Sequence, residues 1–159
     1  MVTEKRFYCV NAVVNVLQSM ILTDGEKMLR TPTWHVFNMY KEHQDADLVY
    51  SYLTDVKEVG NSSIKVPEIV ESTSVNKDGV ITATLSNLSL DSSEDIEIVL
   101  TEKKPESVNI SILNDRMNAY NTFEEPDKVK TTEVTDFEIT DRGVKFTLPA
   151  CSVISICIK

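Results

Sequence analysis

The feature that most limits the fold is a series of short segments after residue 47 in which apolar and polar residues alternate. Residues 94–102 and 108–112 show this most clearly, with an aliphatic residue at every second position. A period of two is typical of strands that bury one face. Turn-forming sequences, such as NKDG at 76–79 and DRG at 141–143, separate the segments. The pattern predicts an antiparallel β-sandwich over residues 47–159.

The predicted strands cover most of this region. Pro67 lies inside one of them and cannot donate a ladder hydrogen bond, so we expect an edge or a bulge there. The strands are expected at residues 48–53, 64–75, 80–87, 94–102, 108–112, 128–134, 137–140, 144–148 and 152–158.

Residues 1–46 have a helical pattern instead. Residues 7–22 are almost continuously apolar and favour a buried helix running into a short strand at 19–23, although periodicity alone leaves helix and strand open. After a turn at Asp24-Gly25, Thr31 is a candidate N-cap, and Pro32 suits the first position of a helix that ends near residue 44. The apolar stripe of this helix is expected to be Val36, Phe37, Met39 and Tyr40.

The apolar side chains of this leading segment are too many for one amphipathic helix to bury. We therefore expect residues 1–46 to pack on the sandwich or on a surface that the chain itself does not supply. The sequence thus predicts two units, a helical segment at 1–46 and a β-sandwich domain at 47–159.

Composition narrows the possible partners and setting. The chain has 159 residues and a net charge of −9, which argues against nucleic acid or an anionic membrane surface. No apolar run reaches the roughly 18–20 residues of a membrane span, and the charged start is not a clean signal peptide, so a cytoplasmic setting is expected. Cys9, Cys151 and Cys157 are expected to be buried reduced thiols. No ligand cluster accompanies the two histidines, so no metal or other cofactor is predicted.

Three groups of residues are more specific than the fold pattern. They are VNVLQSMILT at 14–23 with TPTWHVFNMYKEHQ at 31–44, MNAYNTFEEPDKV at 117–129, and LPACSVI at 148–154. In order and spacing they closely resemble the C-terminal part of intracellular α-L-arabinofuranosidases of glycoside hydrolase family 51.

The resemblance implies a (β/α)₈ barrel followed by a jelly-roll sandwich, in an enzyme that removes terminal α-L-arabinofuranosyl groups from arabinan and arabinoxylan with retention of configuration. A complete barrel needs about 250 residues, so this chain cannot contain one. By the same mapping, residues 10–18 are like the helix before the last barrel strand, 20–23 like that strand, and 32–44 like the final barrel helix. The implied partners are the catalytic barrel and, through the intact enzyme, arabinose-containing glycans.

A retaining mechanism needs two carboxyl groups about 5–5.5 Å apart. The resemblance places both catalytic glutamates on earlier barrel strands, so no catalytic residue is expected in this chain. The acidic residues that are present, such as Glu124 and Glu125, are expected to be solvated. Ala12 stands where the family commonly has a glutamine near the sugar, which weakens a contact there.

Trp34 is the one candidate substrate-binding residue, because it opens the final helix where the last loop of a barrel faces the active site. Its alternative role is packing at the start of the helix, and the adjacent His35 is expected to be structural. In residues 118–123, Asn and Thr side chains are expected to cap the backbone of a long loop, while Tyr120 and Phe123 pin the loop to the core.

These features favour the structural C-terminal domain of an arabinofuranosidase that is inactive by itself. A stand-alone carbohydrate-binding module is an alternative, although the only Trp does not lie on a strand. An assembly element that docks on a separate barrel, or on a second copy as a homo-oligomer, is the third hypothesis.

Overall fold

The structure, a computed structural model, describes residues 19–101 and 104–159. Within these ranges one helix, α1 (Pro32–Tyr40), continues into a 3₁₀ turn (Lys41–His43). The strands are β1 (Ile21–Asp24), β2 (Lys27–Arg30), β3 (Asp47–Leu48), β4 (Glu58–Gly60), β5 (Lys65–Pro67), β6 (Ile69–Val75), β7 (Ile81–Asn87), β8 (Glu94–Val99), β9 (Val108–Asn114), β10 (Thr132–Glu133), β11 (Glu138–Ile139), β12 (Gly143–Leu148) and β13 (Ser152–Ile158).

Two antiparallel sheets form the body of the protein. One has six strands in the order β10-β9-β13-β7-β6-β3, and the other has three in the order β11-β12-β8. Strand β13 pairs along its whole length with both β7 and β9, so it is the centre of the larger sheet. The predicted fold class, a mainly β protein with antiparallel sheets and a short helical lead, is confirmed.

The main core lies between the two sheets. Ile154, Ile156 and Ile158 of β13 alternate with side chains on the opposite face and are almost completely buried. Val144 and Leu148 of β12 pack against the same cluster from the smaller sheet. Fully burying an aliphatic side chain of this size stabilises a fold by about 1.5–3 kcal/mol, so the alternation in β13 and β12 determines how the sheets face each other.

Helix α1 packs on the opposite face of the six-stranded sheet. Met39 forms a second buried cluster with Leu113 and Val129, and Val36 and Val153 pack against it. The expected apolar stripe is therefore only half right. Phe37 and Tyr40 are exposed, and His35 takes an inward position with Met39. Of the two surfaces left open for the leading segment, these contacts place α1 on the sandwich.

The start of α1 agrees with the sequence prediction in position but not in bonding. Thr31 has the extended backbone of an N-cap and Pro32 follows it, yet the Thr31 side chain makes no cap hydrogen bond. Its hydroxyl donates instead to the carbonyl oxygens of Ser19 and Met20, at 2.9 and 3.1 Å. Thr31 therefore joins the helix to the chain that enters β1.

The short strands differ most from expectation. The predicted strand at 48–53 is wrong beyond Leu48, and residues 49–53 lie outside any ladder. The predicted strand at 64–75 is two strands, with Pro67 ending the β4-β5 hairpin and Glu68 outside both. Strand β2 was not predicted, and it forms a hairpin with β1 through the expected turn at Gly25, which has a φ of 58°.

The proposed helix over residues 7–18, together with Cys9 and Ala12, lies outside the described residues. Cys151 and Cys157 are free thiols, but they are only half-buried, so the prediction that these thiols are buried is wrong. In the described part of the chain, no helix has the length and apolar character needed to span a membrane.

Gly143 offers a direct test of the packing between β12 and β8. A Cβ atom at this position would lie 1.8 Å from the Ile98 carbonyl oxygen, which belongs to the paired strand. We predict that Gly143→Ala lowers the free energy of unfolding by about 3 kcal/mol, the upper end for single substitutions, measured by urea denaturation. Gly25→Ala is the control, because no atom lies within 4 Å of its Cβ position and only its positive φ opposes the change. Equal effects of the two substitutions on the free energy of unfolding would contradict the close packing of β12 against β8 at Gly143.

Candidate functional site around Trp34

The candidate site is assembled by one buried amide. The Asn121 Nδ2 group donates to the carbonyl oxygens of Arg30 and Val129, at 2.9 and 2.8 Å. Its Oδ1 atom accepts the backbone N–H of Val129 at 2.6 Å. Because one amide side chain can serve two acceptors and a donor at once, Asn121 fixes the loop between β9 and β10 against the end of β2. The end of β2 and the start of α1 are thereby brought to this loop.

Trp34 lies half-buried in the first turn of α1. The Arg30 guanidinium carbon lies 4.4 Å from the centre of the indole ring, a cation–π arrangement. The His35 ring meets Trp34 edge to face, with centroids 5.1 Å apart. Arg30 covers one face of the indole and His35 constrains its orientation, so the ring is held in one position rather than free on the surface.

His35 is a buried neutral histidine. Its Nδ1 atom accepts the backbone N–H of Thr131 at 3.4 Å and lies 3.1 Å from the Thr131 hydroxyl oxygen. Accepting an N–H at Nδ1 assigns the proton to Nε2, which is buried without a hydrogen-bond partner among the described residues. Burial lowers the pKa of His35, the Arg30 charge lowers it further, and Asp127 partly opposes both. These contacts are those of a structural residue, as the sequence suggested.

The loop motif at 118–123 follows the prediction in part. Asn121 caps backbone groups as described, and the Thr122 hydroxyl accepts the backbone N–H of Glu125 at 3.0 Å. The role predicted for Tyr120 is wrong, because its side chain is exposed. Ala119 packs against the Met39 cluster instead.

The second histidine serves a different junction. His43 Nδ1 lies 2.7 Å from the Ser74 hydroxyl oxygen, and Nε2 lies 3.0 Å from that of Thr84. Both hydroxyls are buried on the face of the six-stranded sheet that receives α1. Burial also lowers the pKa of His43. His43 therefore joins the end of the helix to β6 and β7. It takes no part in the contacts described above for Trp34.

Several acidic side chains near and beyond the site are solvent-exposed, whereas Glu68, between β5 and β6, is buried. Glu124, Glu125 and Asp127 lie on the surface of the loop. On the outer face of the smaller sheet, Asp95 accepts a hydrogen bond from Thr147, and Glu97 lies 3.6 Å from the Lys145 ammonium. Among residues 19–101 and 104–159, no three His, Cys, Asp or Glu side chains are placed to hold a metal ion. The described site places an indole ring beside a guanidinium, two groups that can stack on a ligand and donate hydrogen bonds to it.

The family model described as Alpha-L-arabinofuranosidase C-terminal domain matches residues 6–152. The chain belongs to this family. An intracellular exo-α-L-arabinofuranosidase from Bacteroides ovatus is 40% identical over 145 residues, which are 91% of this chain and 28% of that protein. The predicted resemblance to the C-terminal region of family 51 arabinofuranosidases is thus confirmed.

Solved structures agree with this assignment. The family 51 arabinofuranosidase from Xanthomonas axonopodis pv. citri has a TM-score of 0.85 and 33% identity, over 92% of this chain and 30% of that one. A family 51 α-L-arabinofuranosidase from Bifidobacterium longum, at 19% identity and a TM-score of 0.80, shares the fold over 92% of this chain and 29% of its own. The arabinofuranosidase C-terminal domain described here therefore spans less than a third of the length of these relatives.

Asn121 should be the most sensitive polar residue of the domain. We predict that Asn121→Ala lowers the free energy of unfolding by about 2–4 kcal/mol, because it leaves buried backbone groups without partners. Urea denaturation of the chain measures this change. Asn118→Ala is the matched control, since Asn118 is exposed in the same loop, and we expect a change within about 0.5 kcal/mol. A small effect at Asn121 would contradict its role in joining the loop to β2.

The stability of the domain should fall in mild acid. His35 and His43 have lowered pKa values in the folded chain, so the unfolded chain binds more protons as the pH falls below its histidine pKa of about 6.5. The contribution of these two histidines to the free energy of unfolding is complete above that pH. It is lost as the pH drops towards their pKa values in the folded chain. Urea denaturation at pH 7.5 and 5.5 measures the difference in the free energy of unfolding. The double variant His35→Gln/His43→Gln should show a flatter dependence, and an equally steep one would contradict the assignment.

Proposed function

We propose that this chain is the C-terminal part of a cytoplasmic α-L-arabinofuranosidase that removes terminal non-reducing arabinofuranosyl groups from arabinan and arabinoxylan with retention. The Bacteroides ovatus relative is named an intracellular exo-α-L-arabinofuranosidase, and the Xanthomonas relative is named a family 51 arabinofuranosidase. The observation that carries the proposal is 40% identity to the first over nine-tenths of the present chain.

In this proposal the chain has a structural role. The two catalytic carboxyl groups belong to the portion of the enzyme that precedes it, and residues 1–46 complete that portion while residues 47–159 form the sandwich domain. The exposed positions of Glu124, Glu125 and Asp127 support this division of labour, because a catalytic acid needs a partly desolvated setting. The contacts of α1 with Leu113 and Val153 support a brace between the two units.

A chimera tests the proposal. The present chain replaces the matching 145 residues of the Bacteroides ovatus enzyme, and turnover of an aryl α-L-arabinofuranoside is compared with that of the parent. We expect the chimera to be active and the isolated chain to show no turnover. Turnover by the isolated chain would contradict the structural role, and a folded but inactive chimera would contradict the assignment to such an enzyme.

Trp34 is proposed as a substrate-contacting residue of the intact enzyme. Its ring is held at the start of α1 by Arg30 and His35, and a fixed aromatic ring binds a sugar with little loss of side-chain entropy. In the chimera, Trp34→Ala should raise KM about tenfold, the equivalent of roughly 1.4 kcal/mol, with kcat less affected. Trp34→Phe, which keeps an aromatic ring, is the control. An unchanged KM in a stably folded Trp34→Ala chimera would leave Trp34 as a packing residue.

A further inference from the structure

The face of the six-stranded sheet that receives α1 is only partly covered. The helix contacts β9 and β13, and the 3₁₀ turn that follows it contacts β6. Beyond the 3₁₀ turn the chain runs along the outer edge of β6, first as β3 and then through residues 49–53, which lie outside any ladder. This edge segment carries two tyrosines and a leucine in a region with no covering element among the described residues.

Alternation along the edge segment places these three side chains on one side. Leu48 pairs with Ser74, and paired residues share a face of a sheet. Because the Ser74 hydroxyl bonds His43, that face is the one that carries α1. Tyr50 and Tyr52 follow Leu48 at every second position, and all three are exposed while Val49, Ser51 and Leu53 are partly buried; we infer that the three exposed side chains lie on the same side.

The intervening residues support this placement. The Val49 backbone N–H donates to the Thr73 carbonyl, which keeps the edge segment alongside β6. Ser51 donates to the Glu71 carboxylate at 2.8 Å, and Leu53 packs against the main core. The odd-numbered side chains thus point towards the sandwich interior. Leu48, Tyr50 and Tyr52 are left 84%, 92% and 75% exposed.

The exposed surface continues onto the helix. The Tyr40 ring lies 5.8 Å from the His43 ring, measured between centroids, and His43 bonds Ser74 beside Leu48. Phe37 lies one turn earlier on α1, and the side chains of Phe37 and Tyr40 are both exposed. Val70 lies on the same face of β6 as Ser72 and Ser74, because it stands at every second position with them. Its side chain is exposed. We call this surface the aromatic face, and its members are Phe37, Tyr40, Leu48, Tyr50, Tyr52 and Val70.

The direction of the chain indicates what covers the aromatic face. Thr31 bonds the carbonyls of Ser19 and Met20, the first two described residues, so these two residues lie beside the start of α1. The matched relatives are more than three times as long as the present chain, and the matched family is a C-terminal domain. Most of such an enzyme therefore precedes the described residues, the first of which lie beside α1.

We propose that the aromatic face is the surface on which the preceding, catalytic portion of the arabinofuranosidase docks. This rests on the function proposed above. Exposed apolar patches of this kind mark interaction sites, and tyrosine is enriched in interfaces because it buries a large ring and keeps a polar hydroxyl group. Tyr50 and Tyr52 are the central contacts, and Phe37 and Tyr40 extend the contact along α1.

Side-chain footprinting with hydroxyl radicals tests the proposal. Oxidation of each residue, read by mass spectrometry, is compared between the isolated chain and the active chimera with the Bacteroides ovatus enzyme. We expect Tyr50 and Tyr52 to be oxidised strongly in the isolated chain and several-fold less in the chimera. Ile64 is the control, because it is 67% exposed on the separate β4-β5 hairpin, and its oxidation should not change.

A double variant gives a second readout. Tyr50→Ser/Tyr52→Ser should leave the unfolding midpoint of the isolated chain unchanged, because both side chains are exposed there, and should lower that of the chimera. Ile64→Ser should change neither. Equal effects of the double variant on the isolated chain and on the chimera would overturn the proposal.

The outcomes separate this proposal from the function. Undiminished oxidation of Tyr50 and Tyr52 in an active chimera would overturn the docking surface and leave the function standing. Protected tyrosines in a folded but inactive chimera would support the surface and contradict the function. Protection in the isolated chain that grows with protein concentration would assign the face to a second copy, and protection by added arabinan oligosaccharides would assign it to a glycan; either result would overturn docking of the catalytic portion.

Discussion

The constraint on which the structure depends is that strand β13 is enclosed on both faces. Its isoleucines face the smaller sheet, and the side chains between them, including Val153 and Ser155, face α1. Because both faces of this central strand pack against other elements, its register with β7 and β9 is restricted by both layers at once. The helix is therefore part of the packing of the sandwich and not an appendage to it.

The two faces of the six-stranded sheet are buried by different means. The inner face is aliphatic and is stabilised by the removal of apolar surface from water. The outer face is rich in Ser and Thr, and buried hydroxyl groups need partners. His43 supplies them for Ser74 and Thr84, and Met39 covers the apolar part around Leu113. The helix and the turn that follows it thus supply both the hydrogen-bond partners and the apolar contacts that this sheet face needs.

Much of this fold could be predicted from local patterns, and the failures have identifiable causes. Strand β13 was predicted at its observed bounds, and within it an isoleucine recurs at every second position from Ile154 to Ile158. Residues 48–53 alternate equally well, but there the alternation reflects a segment lying between core and exterior, and only Leu48 joins the ladder. Strand β2 has no alternating pattern, and its pairing with β1 comes from the turn at Gly25. On α1, period alone could not tell that His35 would replace Phe37 on the inward side.

The site was less predictable than the fold. Trp34 was identified through the resemblance of its segment to a family, and its neighbours Arg30 and Thr131 were not. The bonds that assemble the site join residues about 90 positions apart in sequence, such as Asn121 with Arg30 and His35 with Thr131. No local pattern encodes such contacts. The one available signal was the polar motif that contains Asn121, whose capping role follows from residue type.

Native-state hydrogen exchange of the isolated chain tests the central claim, that α1 and the sandwich form one cooperative unit, most directly. If α1 is part of the packing around β13, the amides of Met39 and Tyr40 should exchange with a free energy of opening close to that of Ile154 and Ile156. Rapid exchange in the helix, with β13 fully protected, would contradict the account, because it would place α1 outside the cooperative unit.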